Sequence, residues 1–97
     1  MPKLRQAKDQ KRNAYLLRTY GITLAQYNDL LKKQSGGCAT CGKTPAQEGR
    51  NLAVDHDHRS LEIFGLLCFR CNHILLGRLR DPALYLNASE YLSRGVS

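Results

Sequence analysis

No stretch of the 97-residue chain approaches the roughly 18 consecutive apolar residues of a membrane span. The basic N-terminus also lacks the apolar run of a secretion signal. These absences set the expectation of a soluble, cytoplasmic protein with no membrane partner. There are no internal repeats, no low-complexity segments and no composition break, so residues 1–97 read as a single domain. At this size an apolar core alone stabilises only marginally, and a metal or a second subunit commonly adds the remainder. Acidic residues are scarce as well. Eight Asp and Glu face fifteen Lys and Arg, a formal net charge of +7, which makes a polyanion the attractive partner. No acidic residue lies between Asn72 and Arg80, so that segment offers no second carboxylate for a two-metal site.

What the chain does have is four cysteines in two Cys-x-x-Cys pairs, Cys38/Cys41 and Cys68/Cys71. A two-residue gap lets one turn aim both sulfurs at a single ion, and tetrahedral zinc takes thiolates readily. In a reducing compartment this pattern favours zinc; two disulfides are the alternative. A usual four-cysteine ribbon separates its pairs by about 15 to 20 residues, whereas 26 lie between Cys41 and Cys68. The surplus holds Asp55, His56, Asp57 and His58. Zinc with four thiolates has no open position and is structural, so any catalytic metal must bind elsewhere.

The elements follow from local patterns. Residues 3–19 contain neither Pro nor Gly and predict a basic N-terminal helix within residues 1–20, where Lys3, Arg5, Lys8, Lys11, Arg12 and Arg18 are opposed only by Asp9. Thr23 and Gln26 form a capping-box pattern for a second helix over residues 24–34, and Gly36-Gly37 stops it. Residues 44–50 read as a polar loop. Leu52-Ala53-Val54 reads as a strand leading to Asp55 and His56, and residues 63–67 as the strand returning to Cys68. Asn72, Leu75, Leu76 and Leu79 recur at helical spacing, predicting a helix whose apolar face, shared by Asn72, lies on the hairpin. Asp81 caps and Pro82 opens a final helix over residues 81–93. Its stripe of Leu84, Ala88, Tyr91 and Leu92 reads as core, with a homodimer contact through the terminal helices as the alternative. The expected architecture is α+β, a zinc-stapled β-hairpin and helix (residues 38–80) between flanking helices.

Phosphodiester hydrolysis requires a nucleophile made from water, a cation for the developing charge and a cradle for the phosphate. A neutral imidazole, with a reference pKa of about 6.5, takes a proton from water near neutrality, and His56 is the candidate base. Asp55 and Asn72 offer the hard oxygens that suit Mg²⁺ or Mn²⁺. Asp57 and His73 read as structural or exposed. The rival reading is a non-catalytic zinc module that binds nucleic acid.

The chain resembles the HNH nucleases with a ββα-metal (His-Me) finger and, more closely, the phage recombination endonuclease VII family. Tyr20-Gly21-Ile22-Thr23 with Tyr27 looks like that family's lead-in, and residues 37–42 like its first knuckle. Val54-Asp55-His56-Asp57-His58 and Gly65-Leu66-Leu67-Cys68-Phe69-Arg70-Cys71-Asn72 look like its catalytic core. The resemblance implies a metal-dependent DNA endonuclease, phage-encoded and acting inside a host cell. It implies that Asp55 and Asn72 hold the metal, that His56 activates water, and that His58 supports the site or touches the scissile phosphate. The family's second strand commonly carries Arg before Gly-Leu-Leu-Cys. Here that position is Phe64, and Arg59 or Arg70 is expected to compensate, with Lys8, Lys11 and Arg12 adding DNA contacts from the first helix.

Overall fold

Free of helix breakers until Gly21, the N-terminal segment forms one helix, α1 (Pro2–Tyr20), in a computed structural model that describes residues 2–57 and 59–95. Gly21 ends it in the left-handed region, at φ +76°. Among the described side chains of α1 only Leu16 is buried, while those from Gln6 to Lys11 are exposed. The second helix, α2 (Leu24–Lys33), starts on the expected capping box: the Thr23 hydroxyl accepts from Gln26 N–H and the Gln26 side chain accepts from Thr23 N–H. The Asn13 side chain accepts from Leu24 N–H at 2.7 Å, which joins α1 to the start of α2.

The hairpin pairs β1 (Ala53–His56) with β2 (Ile63–Leu67) in antiparallel register, Ala53 opposite Leu67 and Asp55 opposite Gly65. His56 then pairs with Ile63, so Phe64 is the extra residue of a bulge beside Asp55 and His56. The outer edge of β2 is closed at Leu66 by the Gln34 side chain together with Ala39 N–H, which donates to Leu66 C=O at 3.1 Å. Gln34 donates to Leu66 C=O and accepts from Leu66 N–H, both at 2.9 Å, as a neighbouring strand would. Gly65 takes φ +155°, which side-chain-bearing residues rarely adopt, and a Cβ there would meet Oε1 of the Gln34 side chain at 2.7 Å and disturb this pairing.

Among the described residues the core is Leu16, Tyr27, Leu52, Val54, Leu66, Leu67 and three of the cysteines, Cys38, Cys68 and Cys71. Tyr27 spans it, its hydroxyl donating to Leu52 C=O at 2.6 Å. Apolar side chains and the cysteine cluster therefore form one unit, and the core is small for the chain length.

Three expectations are corrected. Residues 44–50 are not all loop: Thr44 and Gln47 form a second capping box that starts a helical turn, α3 (Pro45–Glu48). The helix expected after Cys71 is a single wide turn, Arg70–Leu75, of π type, closed by Leu76 N–H donating to Cys71 C=O. It cannot continue, because the chain folds back at Gly77 so tightly that a Cβ there would lie 2.1 Å from the His73 carbonyl oxygen. Leu75 and Leu79 are consequently exposed. The last helix, α4 (Pro82–Arg94), is capped by Asp81 as expected, yet it buries none of its side chains, and Tyr91 and Leu92 are 67% and 73% exposed. Its stripe is not core. Tyr85 ties α4 to the preceding segment, its hydroxyl shared between the carbonyls of Leu75 and Leu79 at 2.5 and 2.6 Å.

A cysteine cluster and a candidate active site

The Cys38 turn is closed by Gly42 N–H donating to Cys38 C=O and Cys38 N–H donating to Lys43 C=O, both at 2.9 Å. A Cβ at Gly37 would sit 2.3 Å from the Gly42 carbonyl oxygen, so the knuckle needs glycine there. The second pair follows β2 directly. Glu48 links the two, accepting from Phe69 N–H at 2.7 Å and pairing with Lys43 at 3.2 Å. The Phe69 N–H, then Lys43, hold this carboxyl below its usual range.

All four sulfurs lie within 4.8 Å of one another, and those of Cys41 and Cys68 are 3.6 Å apart. Bonds of 2.3 Å to a tetrahedral zinc place thiolates about 3.8 Å apart, so the donor set and its spacing fit that ion. Burial pushes the Cys38 thiol up, but hydrogen bonds from the Thr40 hydroxyl and from nearby backbone N–H groups outweigh it and bring the pKa to about 5. Burial and the neighbouring sulfurs push Cys71 to about 12. Negative charge thus gathers on part of the cluster when no cation is present. Arg70 faces it, and the Cys41 sulfur, then Cys71, holds its guanidinium above the usual pKa.

The second site lies at the far end of β1. Asp55, His56 and Asn72 together form the wall shared by two adjoining cavities of about 410 and 430 Å³. The strand supplies two of these residues and the π turn the third. In a regular strand Asp55 and His56 would point to opposite faces. The bulge at Phe64 increases the local twist at that step. Tyr20, at the end of α1, meets His56 in an edge-type contact at 5.2 Å and Tyr15 in another at 6.2 Å. Asp55 is nearly covered, with 12% of its side chain exposed, and its carboxylate pairs with Arg80 at 2.9 Å. The Arg80 guanidinium also donates to Leu76 C=O and lies over the Phe64 ring at 5.3 Å.

Not every expected residue joins this site. His58 lies outside the described residues. Asp57, read as structural, borders the smaller of the two cavities and organises the hairpin loop, accepting from Arg59 N–H and Ser60 N–H at 2.7 and 2.9 Å, and these bonds, Ser60's foremost, lower its pKa. His73, likewise read as structural or exposed, borders the larger cavity and packs its ring on Phe69 at 4.5 Å. Arg59, Lys8 and Lys11 are exposed, whereas the Arg12 guanidinium covers the Tyr27 ring at 4.5 Å. Sequence reasoning missed Arg80 and the contact of Tyr20 with His56. Tyr20 stood within a recognised motif, but nothing in the pattern around Arg80 marked it.

The model of the family described as recombination endonuclease VII matches residues 13–94, and the chain belongs to that family. It is 42% identical over 80 residues to the Gene 59 protein of Mycobacterium phage D29, covering 81% of this chain and 48% of that protein. It is 41% identical over 78 residues to the Gene 59 protein of Mycobacterium phage L5, covering 79% and 47%. The chain thus spans about half the length of the curated relatives it matches. No solved structure matches it. Among the described residues no helix is long and apolar enough to cross a membrane.

Proposed function

We propose that the protein is an HNH-type endonuclease that hydrolyses DNA phosphodiester bonds, with structural zinc on Cys38, Cys41, Cys68 and Cys71 and one catalytic Mg²⁺ or Mn²⁺. The observation that carries this reading is the convergence of Asp55, His56 and Asn72 on one wall from two separate elements. Membership of the endonuclease VII family supports it. Asp55 and Asn72 would hold the divalent cation, which supplies positive charge to the scissile phosphate and the leaving oxygen. The donors fit: a nearly covered carboxylate that already engages a cation, and an amide oxygen on the same wall.

His56 is the base in this reading. Its imidazole takes a proton from the attacking water, and Tyr20 holds the ring through its edge contact. His58 would support the site or touch the scissile phosphate. The exposed cations Lys8, Lys11 and Arg59 would bind phosphates by charge. Arg12 and Arg70, also expected to touch DNA, are engaged with the Tyr27 ring and the cysteine cluster, so their share should be smaller.

Supercoiled plasmid tests the proposal. Zinc-loaded protein should convert it to nicked or linear forms when Mg²⁺ or Mn²⁺ is added and leave it intact in metal-free buffer. Tight DNA binding without conversion under any divalent cation would establish the rival reading, a zinc module that binds nucleic acid.

A further inference from the structure

We infer that Arg80 is the internal counter-cation of the candidate active site: it neutralises Asp55 until a divalent cation binds there, then turns to the phosphate of the DNA. This rests on the proposed divalent site at Asp55. Three observations carry it. The guanidinium sits 2.9 Å from Oδ2 of the carboxylate that would hold the metal, so the two cations compete for one anion. Its other attachments are weak: one bond to the Leu76 carbonyl at 3.2 Å and the face of the Phe64 ring. Finally, 42% of the side chain is exposed, and it borders both the cavity walled by Asp55, His56 and Asn72 and a more apolar one beside it.

Arg80 follows Gly77, where the chain bends, and precedes the first turn of α4, so it lies on neither a strand nor a helix. A short change in its rotamer can carry a long, planar, permanently charged group from a carboxylate to a phosphate, both of which it can grip in bidentate fashion. Phe64 acts as the rest on which the guanidinium slides, since a cation is held over a ring face without fixed direction. The strand residue that separates Asp55's partner from His56's partner in the bulge thereby gains a use: it seats an arginine that arrives from a distant part of the chain.

Calorimetric titration of Mn²⁺ into the zinc-loaded full chain, without DNA, reads the competition directly. Arg80→Ala should bind Mn²⁺ about fivefold more tightly than wild type, the gain expected when a partly exposed ion pair no longer competes. The same variant should cleave plasmid at least tenfold more slowly at saturating Mn²⁺. Asp55→Asn should abolish the Mn²⁺ heat. Unchanged or weaker Mn²⁺ binding in Arg80→Ala would overturn the inference while leaving the metal site in place. Tighter binding with undiminished cleavage would overturn the hand-over to phosphate. Mn²⁺ binding that Asp55→Asn leaves intact would instead sink the metal site itself. Zinc content checks that each variant is folded, and Arg80→Met, which keeps the aliphatic stem, serves if the alanine variant loses zinc.

Discussion

Asn72 shows how one side chain can be placed by a cysteine cluster to which it does not belong. It follows Cys71 directly, and its N–H donates to Cys68 C=O at 2.9 Å, so the turn that carries the cysteine cluster fixes its backbone. Asn72 thereby joins the wall shared with Asp55 and His56. In the proposed metal site, replacing it by alanine would remove the neutral ligand and leave the anionic one. Asn72→Ala should therefore need several-fold more Mg²⁺ for half-maximal cleavage, with the rate at saturation much less affected; a Mg²⁺ titration of plasmid nicking checks this. Legibility divides at this scale. The cysteines, Asp55, His56 and Asn72 are readable because their spacing is local and chemically specific. Arg80 is not readable, since its meeting with Asp55 depends on the path of the chain after Gly77, which no periodicity encodes. Gln34 is similar: its role as a substitute strand for Leu66 spans 32 positions in sequence.

Among the elements, capping signals proved reliable because they report bonds between neighbours. Thr23 with Gln26, and Asp81 with Pro82, start helices where expected. Apolar spacing misled twice. The leucines after Asn72 and the stripe of α4 have helical periodicity, but periodicity reveals a face and not what covers it. α1 poses the opposite case, a helix whose early part is exposed and basic. Its C-terminal Tyr20 touches His56, and at 1.5 Å per residue Lys8 lies about 18 Å back along the axis. Deleting residues 1–11 removes Lys3, Arg5, Lys8 and Lys11 but retains Arg12 on Tyr27 and Asn13 on Leu24. The truncated protein should keep its fold and its rate at saturating DNA while binding DNA more weakly. Each lost phosphate contact should flatten the slope of log affinity against log salt by about 0.9. An unaltered slope would mean that this part of α1 does not touch DNA.

For the whole molecule, the decisive fact is that three of the four cysteines belong to the core. Among the described residues Cys38, Cys68 and Cys71 are buried with only six other hydrophobic side chains, so a cluster without the proposed ion would leave sulfur charges and a partial core. Cys68→Ser should lower zinc content and abolish the cooperative melting transition. A strong chelator should do the same to the wild type, because in such small domains the free energy of metal binding is largely that of folding. A melting temperature indifferent to chelator would show that the apolar residues suffice alone. Under the proposed function stability and chemistry fall to separate groups, the thiolates on one side and Asp55, His56 and Asn72 on the wall they share on the other. The measurement that bears most directly on this division is plasmid cleavage by His56→Ala at matched zinc content and saturating Mg²⁺. Loss of the base should slow cleavage by about 10²–10⁴-fold with zinc content and melting temperature close to wild type; cleavage at the wild-type rate would show that another group activates the water.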